Sequence, residues 1–167
     1  LRDTSSDLGI RLKISEPVEY AGERISSSRI RDALAAGRIS EVNEMLGNNY
    51  EASGVVERGA GRGAGLGFPT LNLAWNQGAN PRYGVYAVEL WAEGAAGWRQ
   101  GVANYGVRPT FEEGEENPML ETHLFEDSTI APGDSVRVAF RDFLREERKF
   151  ESVDALQEQI AEDKEAA

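Results

Sequence analysis

The spacing of apolar residues changes period twice along this chain of 167 residues. From Tyr50 to Leu144 the dominant spacing is two. In "GVYAVELWAE", Tyr86, Val88 and Leu90 alternate with Val85, Ala87, Glu89 and Trp91, the pattern of a strand with two distinct faces. "YEASGVVE", "FPTLNLAW", "WRQGVANYG", "MLETHLFE" and "DSVRVAFRDFL" read the same way, divided by Gly-, Pro- or acid-rich turns. About six short strands with no helix between them predict an antiparallel barrel or sandwich, and a barrel is preferred.

The flanks are helical. "SSSRIRDALAAG" offers serines as caps, Ile30, Ala33 and Leu34 on one face, and Gly37 as a stop. "SEVNEMLGN" repeats the device, with Ser40 as cap, Val42, Met45 and Leu46 inside, and Gly47 closing. Ahead of them, "LGIRLKISEPVEY" is expected to form one short strand ending near Pro17. Two short helices bury little alone, so this segment reads as the tail of another domain or as a packing collar. At the far end, "ESVDALQEQIAEDKEAA" predicts a helix capped by Ser152, with Asp154 in its first turn. Val153, Leu156 and Ile160 would dock it across the barrel.

Composition narrows the chemistry. There is no cysteine, which removes disulfides and thiolate metal sites and fits a reducing compartment. No apolar run approaches membrane-spanning length and no leader pattern opens the chain, so it reads as cytoplasmic. The first residue is Leu1 rather than Met, which raises the expectation of a fragment of something longer. Twenty-nine acidic against 18 basic residues give a net charge of −11, which argues against nucleic acid. The same charge still admits a small polyphosphate, given a metal or local cations.

Five stretches are candidates for such chemistry. "RGAGRGAGLGFPTLNL" sets a glycine-rich loop with Arg58 and Arg62 against an ordered strand. Its N–H groups could cradle an anion, although neither a Walker nor a Rossmann spacing follows and an ordinary hairpin loop is the commoner meaning. In "PTLN", Thr70 and Asn72 share one strand face, and hydroxyl and amide oxygens suit Mg²⁺; plain strand-entry chemistry gives the same letters. In "MLETHLF", Glu121 and His123 share a face with Met119 and Phe125. Glu121 is either a base at the rim of an apolar pocket or a solvent-facing residue, and the lone His123 is more often structural than a ligand. "NYGVRPTF" could grip a flat ring or form a turn, and Ser26–Ser28 with Arg29 and Arg31 could hold a phosphate or merely cap a helix.

Taken in order, "GFPTLNL", "GVYAV", "GVANYGVRPTF", "LETHLF" and "FLREERKFESVDALQEQIAED" resemble the riboflavin kinase module of bacterial bifunctional riboflavin kinase/FAD synthetases. The resemblance runs from about Tyr50 to Asp163. "ISSSRIR" and its surroundings are similar to the end of that family's adenylyltransferase domain, whose His-x-Gly-His motif is absent here. It implies residues 1–47 as a remnant of that domain with linker helices, and 48–167 as the kinase. The fold implied is a six-stranded antiparallel Greek-key barrel with a C-terminal helix. The activity implied is Mg·ATP-dependent phosphorylation of riboflavin to FMN plus ADP, with FAD synthesis left to the parent protein and its adenylyltransferase domain.

Residue by residue, the resemblance makes Glu121 the catalytic base and Thr70 with Asn72 the metal and ATP pair. Gly59, Gly61, Arg62, Gly63 and Gly67 fall in the flap over the ATP phosphates. Tyr105, Arg108, Thr110 and Phe111 fall in the loop beside the flavin. Leu71 stands where the family motif has Ala, Gly65 where a hydroxyl is common, and Ser28 where Thr is usual. A flavin- or nucleotide-binding barrel without catalysis is the competing expectation, and it would not need Glu121.

Overall fold

Gly37 and Gly47 adopt left-handed backbone (φ 75° and 71°) and end the two helices of the N-terminal segment where the sequence marks a stop. The computed structural model describes residues 8–9, 11–13, 15–59, 67–107 and 118–167. In chain order, a minimal hairpin of β1 (Glu19–Tyr20) and β2 (Glu23–Arg24) precedes α1 (Ser27–Ala35) and α2 (Ile39–Leu46). Then come β3 (Glu51–Val55), β4 (Leu71–Ala74), β5 (Gly84–Ala92), β6 (Arg99–Val107), β7 (Pro118–Leu124) and β8 (Ser135–Arg145). Helix α3 (Val153–Ala166) closes the order.

Strands β3 to β8 form one antiparallel sheet in the order β3-β8-β5-β6-β7-β4. Three consecutive strands, β5 to β7, are followed by β8 returning beside β5, which is the Greek-key arrangement. The sheet curls until its two edges meet. Glu57 bridges Asn72, its N–H donating to the Asn72 carbonyl at 2.8 Å, and Leu73 packs against Gly54. The result is a nearly closed six-stranded barrel.

Period-two patterning sorts the side chains. Tyr86, Val88 and Leu90 of β5 meet Leu120, Val138 and Phe140 in the barrel core, all 2 % exposed or less. The Phe140 ring packs edge-on against Tyr86 at 5.1 Å between centroids, an arrangement aromatic quadrupoles favour. On the outer face Val85 and Val102 are buried too, because α3 packs over β5 and β6.

The N-terminal helices behave as a collar. Ala33, Leu34, Ile39, Val42 and Met45 belong to the same apolar cluster as the barrel residues. Burying each of the larger three of these, Leu34, Ile39 and Met45, stabilises the fold by about 1.5–3 kcal/mol. Asn43 fastens the join by donating to the Phe140 carbonyl (3.0 Å) and accepting from the Tyr50 N–H (2.7 Å).

Three local expectations need correction. The described residues from Leu8 to Val18 form no strand, pair with no strand among the described residues, and leave Leu8, Leu12 and Val18 exposed. Ser40 is not the cap of α2. The helix starts two residues earlier, at the buried Ile39, and Arg38 at the cap position bonds Glu41 across the first turn at 2.6 Å. In α3, Ser152 does cap the helix, accepting from the Ala155 N–H at 3.1 Å. Val153, however, is 45 % exposed, whereas the polar Gln159 and Asp163 are buried. That inversion follows from an ion pair at the site.

Candidate active site

Strand register carries one residue from each of five strands into a line across the outer face: Asn72 of β4, Glu121 of β7, Asn104 of β6, Val85 of β5 and Arg145 of β8. Side chains of directly opposed residues point the same way, with β-carbons about 4.5–5.5 Å apart. Their chain neighbours Leu73, Leu120, Tyr105 and Tyr86 point into the core. Thr70 precedes Asn72 by two residues and lines the same cleft.

That cleft holds about 540 Å³ between the outer sheet face and α3. Its apolar wall is Val85, Val102, Phe150, Leu156 and Ile160. Thr70, Glu121, His123 and Glu147 supply polar groups, and Arg148 and Lys149 bring positive charge to an otherwise acidic protein. Helix α3 is held in place by a two-pronged pair. Arg145 donates from Nε to Asp163 Oδ1 (2.8 Å) and from Nη2 to Oδ2 (2.7 Å), while Gln159 donates to Oδ1 at 2.9 Å. Such a fork matches a carboxylate's geometry, and it explains why α3 turns polar residues inward.

The predicted residues are placed as follows. Glu121, Thr70 and Asn72 come together, Asn72 directly opposite Glu121 and 4 % exposed. Gly59 lies against the Asn72 carboxamide so closely that a β-carbon there would overlap it. Gly67, at the other end of the glycine-rich stretch, takes φ 86°. His123 contacts the Pro69 carbonyl through Nδ1 at 3.0 Å and meets the Phe68 ring edge-on, which fixes the entry to β4. Gly61, Arg62, Gly63, Arg108, Thr110 and Phe111 lie outside the described residues.

Tyr105 is described, and its side chain does not enter the cleft. It faces the barrel interior, 0 % exposed, stacked near Trp75 (4.6 Å) and Tyr83 (5.3 Å). Burial, reinforced by the neighbouring Tyr83 and Tyr50 hydroxyls, pushes its ionisation well above the ordinary range. Alternation along β6 is the physical reason: with Asn104 outward, Tyr105 must point inward.

A family model described as "Flavokinase: Riboflavin kinase" matches residues 46–167. The chain belongs to the riboflavin kinase family. It is 39 % identical over 154 residues to a bifunctional riboflavin kinase/FMN adenylyltransferase of Bacillus subtilis (strain 168), covering 91 % of this chain and 48 % of that protein. The Escherichia coli (strain K12) protein of the same name is 34 % identical over 163 residues, covering 98 % and 51 %. The chain thus spans about half the length of these curated relatives. Among solved structures, one described as a macrolide-efflux protein from Streptococcus pneumoniae superposes with a TM-score of 0.85 at 33 % identity, over 98 % of this chain and 53 % of that one. No helix among the described residues is long and apolar enough to cross a membrane.

Residue-by-residue reading of this riboflavin kinase sequence missed Asn104, Arg145, Glu147, Gln159 and Asp163. Glu147 accepts from Asn104 Nδ2 at 2.5 Å and covers Gly106. Alternation alone puts Asn104 on the face opposite Tyr105, but only register places it beside Glu121. The clasp joins residues 18 positions apart, from a strand end to the last turns of a helix, beyond the reach of any local pattern.

Proposed function

We propose that this chain transfers the γ-phosphoryl group of ATP to the terminal ribityl hydroxyl of riboflavin, giving FMN and ADP. One observation carries the reading: Thr70 and Glu121 line a cleft that also has an apolar wall, and Asn72 lies directly opposite Glu121 on the neighbouring strand. Phosphoryl transfer asks mainly for alignment and charge stabilisation, so a base beside a phosphate-holding pair is the minimum it requires.

The apolar wall of Val85, Val102, Phe150, Leu156 and Ile160 takes the flavin rings, and its volume lies in the usual range for such ligands. Glu121 accepts the proton of the hydroxyl as its oxygen bonds to the γ-phosphorus; the bond from that phosphorus to the ADP oxygen breaks, and ADP leaves. A neighbouring cavity of about 330 Å³, lined by Gly67, Phe68, Leu71, Phe125 and Ile130 among others, is suited to the nucleoside. The family resemblance assigns Arg62 to the phosphates and Arg108, Thr110 and Phe111 to the flavin, and this reading carries those roles over, although all four lie outside the described residues.

The donor set fits a hard divalent cation. Thr70 and Asn72 offer neutral oxygens, and no group of three or more His, Cys, Asp or Glu side chains converges among the described residues. That suits Mg²⁺, which takes few protein ligands when phosphates supply the rest. When bound it would neutralise charge on the phosphate oxygens.

The reading extends to a cytoplasmic parent chain in which residues 1–47 end an adenylyltransferase domain and 48–167 form the kinase. The test is incubation with riboflavin and Mg·ATP, followed by separation of riboflavin, FMN and FAD. FMN alone is expected; no FMN refutes the kinase, and FAD refutes the absence of adenylylation. Glu121→Gln should lower kcat by about 10²–10⁴-fold, the usual cost of losing a general base.

A further inference from the structure

Asn104 stands beside the proposed base with its side-chain carbonyl oxygen unpartnered among the described residues. It is directly opposite Glu121 on β6, points to the same face, and lines the same cleft. Its orientation is not arbitrary. Glu147 offers only acceptor oxygens, so the Asn104 group 2.5 Å from Glu147 Oε1 must be the Nδ2 amide, and Oδ1 must be the other end. That Oδ1 is buried and has no hydrogen-bond partner among the described residues.

A buried carbonyl oxygen without a donor is costly, and such atoms call for an explanation. Glu147 itself sits over Gly106, where any side chain would strike its carboxylate. The local sequence therefore makes room for Glu147, Glu147 orients Asn104, and Asn104 holds an acceptor ready one strand away from the base.

We propose that Asn104 Oδ1 accepts a hydrogen bond from the secondary hydroxyl next to the one that is phosphorylated, so that it reads the polyol chain of the substrate. This rests on the kinase reading above and adds a specificity residue to it. Neighbouring strands set Glu121 and Asn104 side by side, and neighbouring carbons set two hydroxyls side by side. The terminal hydroxyl meets Glu121 while its neighbour meets Asn104. A chain gripped at two points cannot turn the terminal oxygen away from the phosphorus.

The experiment compares riboflavin with its analogue lacking that secondary hydroxyl, using the full chain and Mg·ATP. In wild type the analogue should lose roughly 5- to 100-fold in kcat/KM, because Oδ1 is left unpaired in the complex. In Asn104→Leu, with no acceptor to strand, the same deletion should cost less than about threefold. In Glu147→Ala, where the carboxamide is free to rotate, the loss should fall between these two. Equal kcat/KM for the two flavins in wild type overturns the proposal without recourse to any variant. So does an equal penalty in wild type and a folded Asn104→Leu, since a merely structural asparagine would leave the ratio unmoved. Absence of any turnover by wild type refutes the kinase reading instead.

Discussion

Removing the carboxylate of Asp163 should detach one helix rather than unfold the molecule. The carboxylate is 4 % exposed and receives three hydrogen bonds, two from Arg145 and one from Gln159. Breaking a buried pair by deleting one partner typically costs about 3–5 kcal/mol, because the survivor is left charged and unpaired. Here Arg145 keeps 20 % of its side-chain surface, so water can partly resolvate it, and about 2–3 kcal/mol is the better figure. Helix α3 covers the outside of the sheet and contributes little to the barrel interior, so the loss should appear as local opening. An undocked helix of 14 residues is marginal in water. In Asp163→Ala, hydrogen exchange of α3 amides should accelerate roughly 30- to 150-fold, with the central amides of β5 and β6 little changed. KM for riboflavin should rise in parallel, since Leu156 and Ile160 form part of the cleft. Equal loss of protection in α3 and in the barrel strands would refute the local clasp; unchanged α3 exchange would refute the energetic reasoning altogether.

Three further outcomes are expected. Gly59→Ala should push the Asn72 carboxamide from its place and lower kcat/KM for ATP by about 10- to 100-fold, with thermal stability measured alongside to separate site from fold. Tyr105→Phe removes a buried hydroxyl that has no hydrogen-bond partner among the described residues, so stability should rise or hold within about 1 kcal/mol in urea denaturation, and KM for riboflavin should not change; a raised KM would put Tyr105 back at the flavin. Finally, burial raises the ionisation of Tyr50, Tyr86 and Tyr105 above the ordinary value of 10.0. Their folded forms hold protons that the unfolded chain releases first. The associated stability is therefore complete below about pH 10 and falls as pH rises above it, a fall that Tyr86→Phe should lessen in alkaline unfolding curves.

The strands were legible because nearly every one carries its own alternation. "GVYAVELWAE" places Tyr86, Val88 and Leu90 inward and nothing in the tertiary structure reverses it. "MLETHLF" likewise shows which face Glu121 takes, and strand-entry spacing gives Thr70 and Asn72 a common side. What one strand cannot encode is its neighbour's register. Asn104 becomes notable only when paired with Glu121, and Arg145 only when the β8 end meets Val85 across a bulge. Helix α3 misled for a related reason: an apolar stripe is a good guide where the partner surface is apolar, but Arg145 offers a charge, and Asp163 and Gln159 answer it. "LGIRLKIS" shows the limit from the other side, a strand-like run whose described residues join no sheet.

The barrel's last bridge, Glu57 to Asn72, uses the residue assigned to phosphate and metal. If the proposed assignment holds, shutting the barrel and assembling the phosphate site are one mechanical event. A molecule sprung open along that edge would then lose its phosphate site as well as its outline, however intact the other strands remain. By the same coupling, a nucleotide held at Asn72 would act as a fastener on the whole cylinder, drawing together two strands, β3 and β4, that the main ladder never pairs directly.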